Sequence, residues 1–226
     1  MEAKAMVLLE PRPCLSPAAV GQEVRAGART RAELALVVLL GLGAALLYTL
    51  FFQRWLFGDG PQLVDTFLFK GGYWMHILYL PAAYLLRDGL QPEDPIDSLR
   101  WLSIFGGALG VSGVFVLARS FGLTRARALF SALLAATTPA IWFFSTTIEL
   151  HALHFATVTA CACLVSRVSW SRPRLAGLLT LASVPLLFWT HKSALLLAPG
   201  WLFLALHVRE RSTGRAPDAR IVDKIR

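Results

Sequence analysis

Leu34–Phe52 reads LALVVLLGLGAALLYTLFF, nineteen residues without a charged side chain. As a helix rising about 1.5 Å per residue it covers roughly 28 Å, close to the ~30 Å hydrocarbon core of a bilayer. Trp101–Ala118, Ala128–Phe144 and Ser193–Leu206 are likewise free of charge. A backbone in hydrocarbon must satisfy its own hydrogen bonds, which leaves helices or a closed barrel. These blocks lack the alternation of period two that a barrel needs, so the fold is expected to be all-α, a polytopic transmembrane helical bundle. Composition agrees: 56% of the 226 residues are hydrophobic and 16% charged, a balance that suits neither a soluble domain nor a disordered chain.

Working outward from the first run, about six spans fit, at 34–52, 101–118, 128–144, 147–166, 175–190 and 193–207. The last two are short and contain Pro185 and Pro199. Residues 1–33, rich in Ala, Pro and Arg, are expected to form a disordered cytoplasmic tail, and 209–226 a second, basic one. The domain between them is 34–208, with a long outer loop at 53–100. The Leu34 run lies deep in the chain with no small-residue cleavage site after it, so it is expected to be an uncleaved span.

The formal charge of +8 is topological rather than a nucleic-acid footprint, because the basic residues cluster at the ends of the apolar runs. With the amino terminus cytoplasmic, the inner segments hold 17 Lys and Arg and the outer ones five: Arg54, Lys70, Arg87, Arg100 and Lys192. Tyr73–Leu86 (YWMHILYLPAAYLL) is apolar, but if it crossed, 14 basic residues would lie outside and eight inside. Its 14 residues include Pro81 and several aromatic rings. It is therefore expected to lie on the outer surface as an interfacial helix. Cys14, Cys161 and Cys163 suggest neither a disulfide framework nor a zinc site.

The outer loop carries six of the 14 acidic residues, and two of them stand in Phe57–Phe67, FGDGPQLVDTF. Asp59 sits in a Gly58-Asp-Gly-Pro61 turn that could present a carboxylate at the membrane surface. Asp65 is expected on a short helix opening at Pro61, where proline is favoured. A solvated acidic loop with a helix cap fits the same residues. Glu149 is the only acid outside this loop and the tails. It lies at the outer end of the fourth expected span, where it could face water or join Asp59. His151 and His154, three apart, share a helix face, while Glu149 points elsewhere. The two histidines suit inter-helix hydrogen bonds better than a metal, which would need ligands from another segment. Lys192 could meet a phosphate as a point charge or snorkel at the interface. His76, on the interfacial helix, could meet an anionic headgroup.

In order and spacing these pieces resemble the amino-terminal half of the polytopic glycosyltransferases of the C superfold (GT-C), the group that includes protein O-mannosyltransferases and aminoarabinose transferases. The likeness covers about Leu34–His207. It rests on the acidic turn after the first span, the helix bearing His76, Leu117-Ala-Arg-Ser-Phe-Gly122, Ala128–Pro139, Glu149, and Thr190-His-Lys192. It implies inverting transfer of a sugar from a polyprenyl-phosphate donor to an acceptor hydroxyl on a glycan, lipid or protein at the outer face. Asp59 and Glu149 would be the catalytic acids, the first as base and the second orienting the acceptor or the cluster. Asp65, His76, His151 and Lys192 would bind substrate, with Lys192 and His76 offsetting charge on the lipid phosphate. No cofactor or resident metal is implied, although a divalent cation is compatible. Partners would be the donor, membrane lipids and the acceptor, with no nucleic acid. Relatives of this kind have nine or more spans, so the chain is expected to be a fragment. The location would be a bacterial inner membrane, or the endoplasmic reticulum membrane in a eukaryote. The competing readings are a non-catalytic membrane assembly protein or a transporter component. The transporter reading would call for ionisable groups deep in several spans, and apart from His154 the span centres are apolar.

Overall fold

A computed structural model describes residues 17–70, 78–169, 171–191, 194 and 197–204, and every regular element among them is helical. These are α1 (Pro17–Leu50), α2 (Gly60–Asp65) continued by a π-helical turn at Thr66–Lys70, α3 (Tyr79–Leu90), α4 (Asp97–Ser120), α5 (Arg125–Thr137), α6 (Pro139–Thr146), α7 (Leu150–Ser169) and α8 (Pro173–Thr190). The chain divides into two compact units, residues 1–36 and 37–226. The described part of the first is the start of α1, which opens at Pro17 within the stretch that composition assigns to the tail. All later helices belong to the second unit.

Three helical stretches are long and apolar enough to cross a membrane: Thr30–Leu50, Asp97–Ser120 and Leu150–Ser169. A fourth exists only if α5 and α6 count as one span, bent by 59°. Six spans were expected, and two physical reasons account for most of the difference. Thr138 takes an extended conformation (φ −61°, ψ 130°), as a residue before proline tends to, and Pro139 then opens a new helix. The span expected at 128–144 is thus a broken pair. The apolar stretch of α8, Arg174–Thr190, is shorter than the three spans. The expected sixth span is described only at 194 and 197–204, with helix over 198–204.

Chain direction places two kinds of charge at opposite ends of the second unit's helices. Arg119, Arg125, Arg127, Arg167, Arg172 and Arg174 flank the ends of α4, α5, α7 and α8 at one end. Asp59, Asp65, Asp88, Glu93, Asp94, Asp97 and Glu149 lie in or beside the connections at the other, the acid end. There, a core of Leu63, Phe67, Tyr79, Leu80, Ala83, Leu99, Leu102, Ile148 and Leu150 binds the long loop to α4 and the start of α7. Phe67 stacks on Tyr84 at 4.8 Å, and the Arg87 guanidinium lies over both rings. Of the stretch expected as an interfacial helix, 73–86, the part from Tyr79 is helical and belongs to α3, which runs on to Leu90; residues 71–77, with His76, lie outside the described residues.

The main packing is α4 against α7, with α8 on α7. Gly106, Gly110 and Gly113 of α4 recur at helical spacing along this seam. A Cβ on Gly106 would stand 2.7 Å from the Ala152 carbonyl carbon and the Leu153 nitrogen, and one on Gly113 would stand 2.5 Å from Thr159 Oγ1. A Cβ on Gly110 would strike the Phe155 ring. Small residues let the two backbones approach, and lipid tails supply no hydrophobic force that could replace the dispersion contacts this gains. Cys163, whose thiol donates to Gly113 O at 3.3 Å, and Cys161 are free thiols.

A methyl group at Gly106 would press on backbone, which cannot swing away as a side chain can. Gly106→Ala should therefore destabilise the protein by about 1–3 kcal/mol despite alanine's better helix propensity. Gly177→Ala, where an added Cβ meets nothing within 4 Å, should be neutral or mildly stabilising. Thermal unfolding of the two variants in detergent, followed by tryptophan fluorescence, checks the contrast.

Candidate functional site

The acid end is organised by a segment with no helix of its own. After α1, Gln53 N–H donates to Thr146 O at 2.7 Å and Gln53 Nε2 donates to Thr146 Oγ1 at 3.4 Å. Phe57 then packs on Phe143, with ring centroids 5.7 Å apart. At Gly58 the backbone enters the left-handed region, φ +54°, and turns so that Asp59 N–H donates to Glu149 Oε1 at 3.2 Å. Acids 90 positions apart in the chain are thereby joined. Asp59 precedes α2 as its N-cap residue, but its side chain makes no capping hydrogen bond. The half-buried Asp59 carboxylate has no partner among the described residues.

Glu149 is 3% exposed. It is not on the helix that carries the histidines: residues 147–149 form a non-helical link between α6 and α7. This corrects the expectation that Glu149 points away from His151. Freed from helical geometry, its Oε2 comes to 3.6 Å from His151 Nδ1. The link is pinned by Ser103, whose Oγ accepts from Glu149 N–H at 3.2 Å and donates to Glu149 O at 3.3 Å. Tyr79 closes the far side. It is 2% exposed and its hydroxyl donates to Leu99 O at 3.4 Å. Burial pushes the phenol well above its ordinary value and the negative charge of Glu149 adds to the rise, while a hydrogen bond with Ser103 acts against it.

His151, beside Glu149, is one of three neighbouring imidazoles. His151 stacks on Phe144, centroids 4.2 Å apart at 15°, and meets His191 on its other flank at 4.2 Å. His154 lies 5.7 Å from His191. Its Nδ1 is 2.6 Å from Thr190 Oγ1, and the Thr190 hydroxyl donates to Leu187 O at 2.7 Å. With the Thr190 proton given to Leu187 O, Nδ1–H would be the donor to Thr190, which in a neutral ring leaves Nε2 as an acceptor. That Nε2 is buried and has no partner among the described residues. Chemically the cluster offers a fixed acid, a carboxylate with free lone pairs and imidazole acceptors, which is equipment for hydrogen-bonding a polyhydroxyl ligand and taking a proton from it.

Of the sequence candidates, Asp59, Glu149 and His151 come together. Asp65 ends α2 six residues after Asp59, roughly 240° around a helix, and so addresses another direction. His76 and Lys192 lie outside the described residues. Sequence reasoning did not single out Gly58, Tyr79, Ser103 or His191. Gly58 and His191 stand in quoted motifs, next to Asp59 and Lys192, but nothing local marks Ser103 or Tyr79. Among the described residues, no group of three or more His, Cys, Asp or Glu is arranged to hold a metal ion.

A Cβ on Gly58 would collide with Glu149 Oε1 and would also carry left-handed strain. Gly58→Ala should cost about 1–3 kcal/mol and raise hydrogen exchange across 53–60. Glu149→Gln keeps an acceptor oxygen for the Asp59 amide and should leave exchange there unchanged, whereas Glu149→Ala should raise it. Tyr79 supplies a pH test. Its folded pKa lies above the unfolded one, so its contribution is complete below about pH 10 and is lost as pH rises through the folded value. Unfolding temperature should fall above about pH 10, and Tyr79→Phe should flatten that limb. No family model, curated protein or solved structure matches this chain.

Proposed function

We propose that the chain is the amino-terminal, acid-bearing part of a GT-C-like membrane glycosyltransferase, moving a sugar from a polyprenyl-phosphate donor to an acceptor hydroxyl. The observation that carries this reading is the 3.2 Å hydrogen bond from Asp59 N–H to Glu149 Oε1. It fixes the Asp59 main chain while leaving the carboxylate free among the described residues, as a base needs. Asp59 would accept the hydroxyl proton as the oxygen attacks the anomeric carbon with inversion, and the lipid phosphate would depart as the glycosidic bond breaks. Glu149, occupied by the loop amide, would position Asp59. His151 would hold sugar or acceptor hydroxyls. Lys192 and His76 would offset charge on the leaving phosphate. The reaction would face the outer or lumenal side, the side of the acid end if the amino terminus is cytoplasmic.

A second reading has its own observation. Glu149 is buried and bonded to a backbone amide, which suits a structural clamp in a non-catalytic assembly protein equally well.

The two separate in a transfer assay on membranes containing the chain in its active full-length context, with a labelled polyprenyl-phosphate sugar. Asp59→Asn should lower transfer at least about 100-fold, the scale of a lost general base, with unfolding temperature unchanged. Full activity in Asp59→Asn would leave only the clamp.

A further inference from the structure

One cavity at the acid end does not hold the acid pair. It has a volume of about 690 Å³ and lies between the end of α1 and the first turns of α4, lined by Thr49, Leu50, Phe52, Arg54, Asp97, Arg100, Trp101 and Ile104. On α4, residues 97, 100, 101 and 104 form one face, and Ser103, which holds Glu149, points about 110° away from its centre. A molecule in this cavity is therefore not presented to the acid pair.

The walls have two chemistries. Leu50, Phe52, Trp101 and Ile104 are apolar, and Leu50 and Asp97 are terminal residues of two membrane-length helices. The cavity thus stands where hydrocarbon meets water. Exposed aromatic residues mark the same level: Trp55 is 78% exposed and Phe51 56%, as in the aromatic belts of membrane proteins. Two guanidinium groups, Arg54 and Arg100, and one carboxylate, Asp97, line the charged wall. Arg100 is paired with Asp97 and lies 3.8 Å from Asp94. Arg54 is exposed and has no partner among the described residues. One guanidinium is left to face whatever fills the space, above a floor that repels free ions.

We propose that this cavity seats the headgroup of an anionic glycerophospholipid, with its phosphate on the fork of Arg54 and its acyl chains passing down along Leu50 and Ile104. An anionic lipid is favoured over a zwitterionic one because Asp97, which could receive an ammonium group, is already held by Arg100. A guanidinium suits the site because it binds phosphate oxygens in pairs. The proposal is independent of sugar transfer, since none of these residues belongs to the acid cluster.

Native mass spectrometry of the full chain, released from micelles holding equal phosphatidylglycerol and phosphatidylcholine, tests it. One phosphatidylglycerol should be retained over phosphatidylcholine by about five-fold, the scale of one basic residue meeting an anionic lipid. Arg54→Gln should bring the ratio near parity with unchanged unfolding temperature, while Arg125→Gln, at the opposite end, should keep it. Millimolar inorganic phosphate should not displace the lipid. No preference in the native chain, or a preference that survives Arg54→Gln, would overturn the assignment. Displacement by free phosphate would make the site one for soluble anions. Complete displacement by equimolar polyprenyl phosphate would make it the donor's seat. Either result removes the resident phospholipid.

Discussion

The contact between the Asp59 amide and the Glu149 carboxylate is the constraint on which the acid end depends. It is short in space and very long in sequence. On one side it holds the turn after α1; on the other it accounts for a buried carboxylate that would otherwise lack a hydrogen bond, an arrangement that costs several kcal/mol. Ser103 then ties the same link to α4 through two hydrogen bonds. Three separate stretches of chain thus meet at one residue. The core of Leu63, Tyr79, Leu99 and Ile148 shields that junction from water, and the low local dielectric strengthens each bond within it.

Much of the architecture is written in the apolar runs. Most of Leu34–Phe52, all of Trp101–Ala118 and most of 147–166 fall in three long helices, because a predominantly apolar backbone in hydrocarbon has to satisfy its own hydrogen bonds. Pro61 announced α2 within a residue, since proline fixes the dihedral angle a first turn needs. The break before Pro139 is local in origin: Thr138 is extended, as a residue before proline tends to be, and the two pieces meet at 59°. Three or four of the six expected crossings are matched among the described residues, because hydropathy measures what a segment could do, while Thr138 breaks the third.

The site was legible in part. Asp59 and Glu149 stood out because acids are scarce near apolar runs. Their partners were hidden because each lies in unremarkable sequence and matters only through packing over long separations. Ser103 reaches Glu149 across 46 positions, and His191 meets His151 only because α8 returns beside α7. The reading of Glu149 failed on a local point. Helical periodicity was applied to a residue that precedes the helix, so the angular relation to His151 had no basis.

The broken pair α5–α6 carries one more consequence. Thirteen and eight residues long and bent by 59°, the two pieces together advance roughly 26 Å along the axis of α5, short of a hydrocarbon slab of about 30 Å. Thr146 and Thr147 give their hydroxyls to the carbonyls of Trp142 and Phe143, so the truncated helix can end without water to solvate it. Counted as one crossing, such a pair would be shorter than the slab, and a span that is too short is accommodated by local thinning of the bilayer. Such thinning would bring the headgroups down towards Glu149, which follows α6 in the chain.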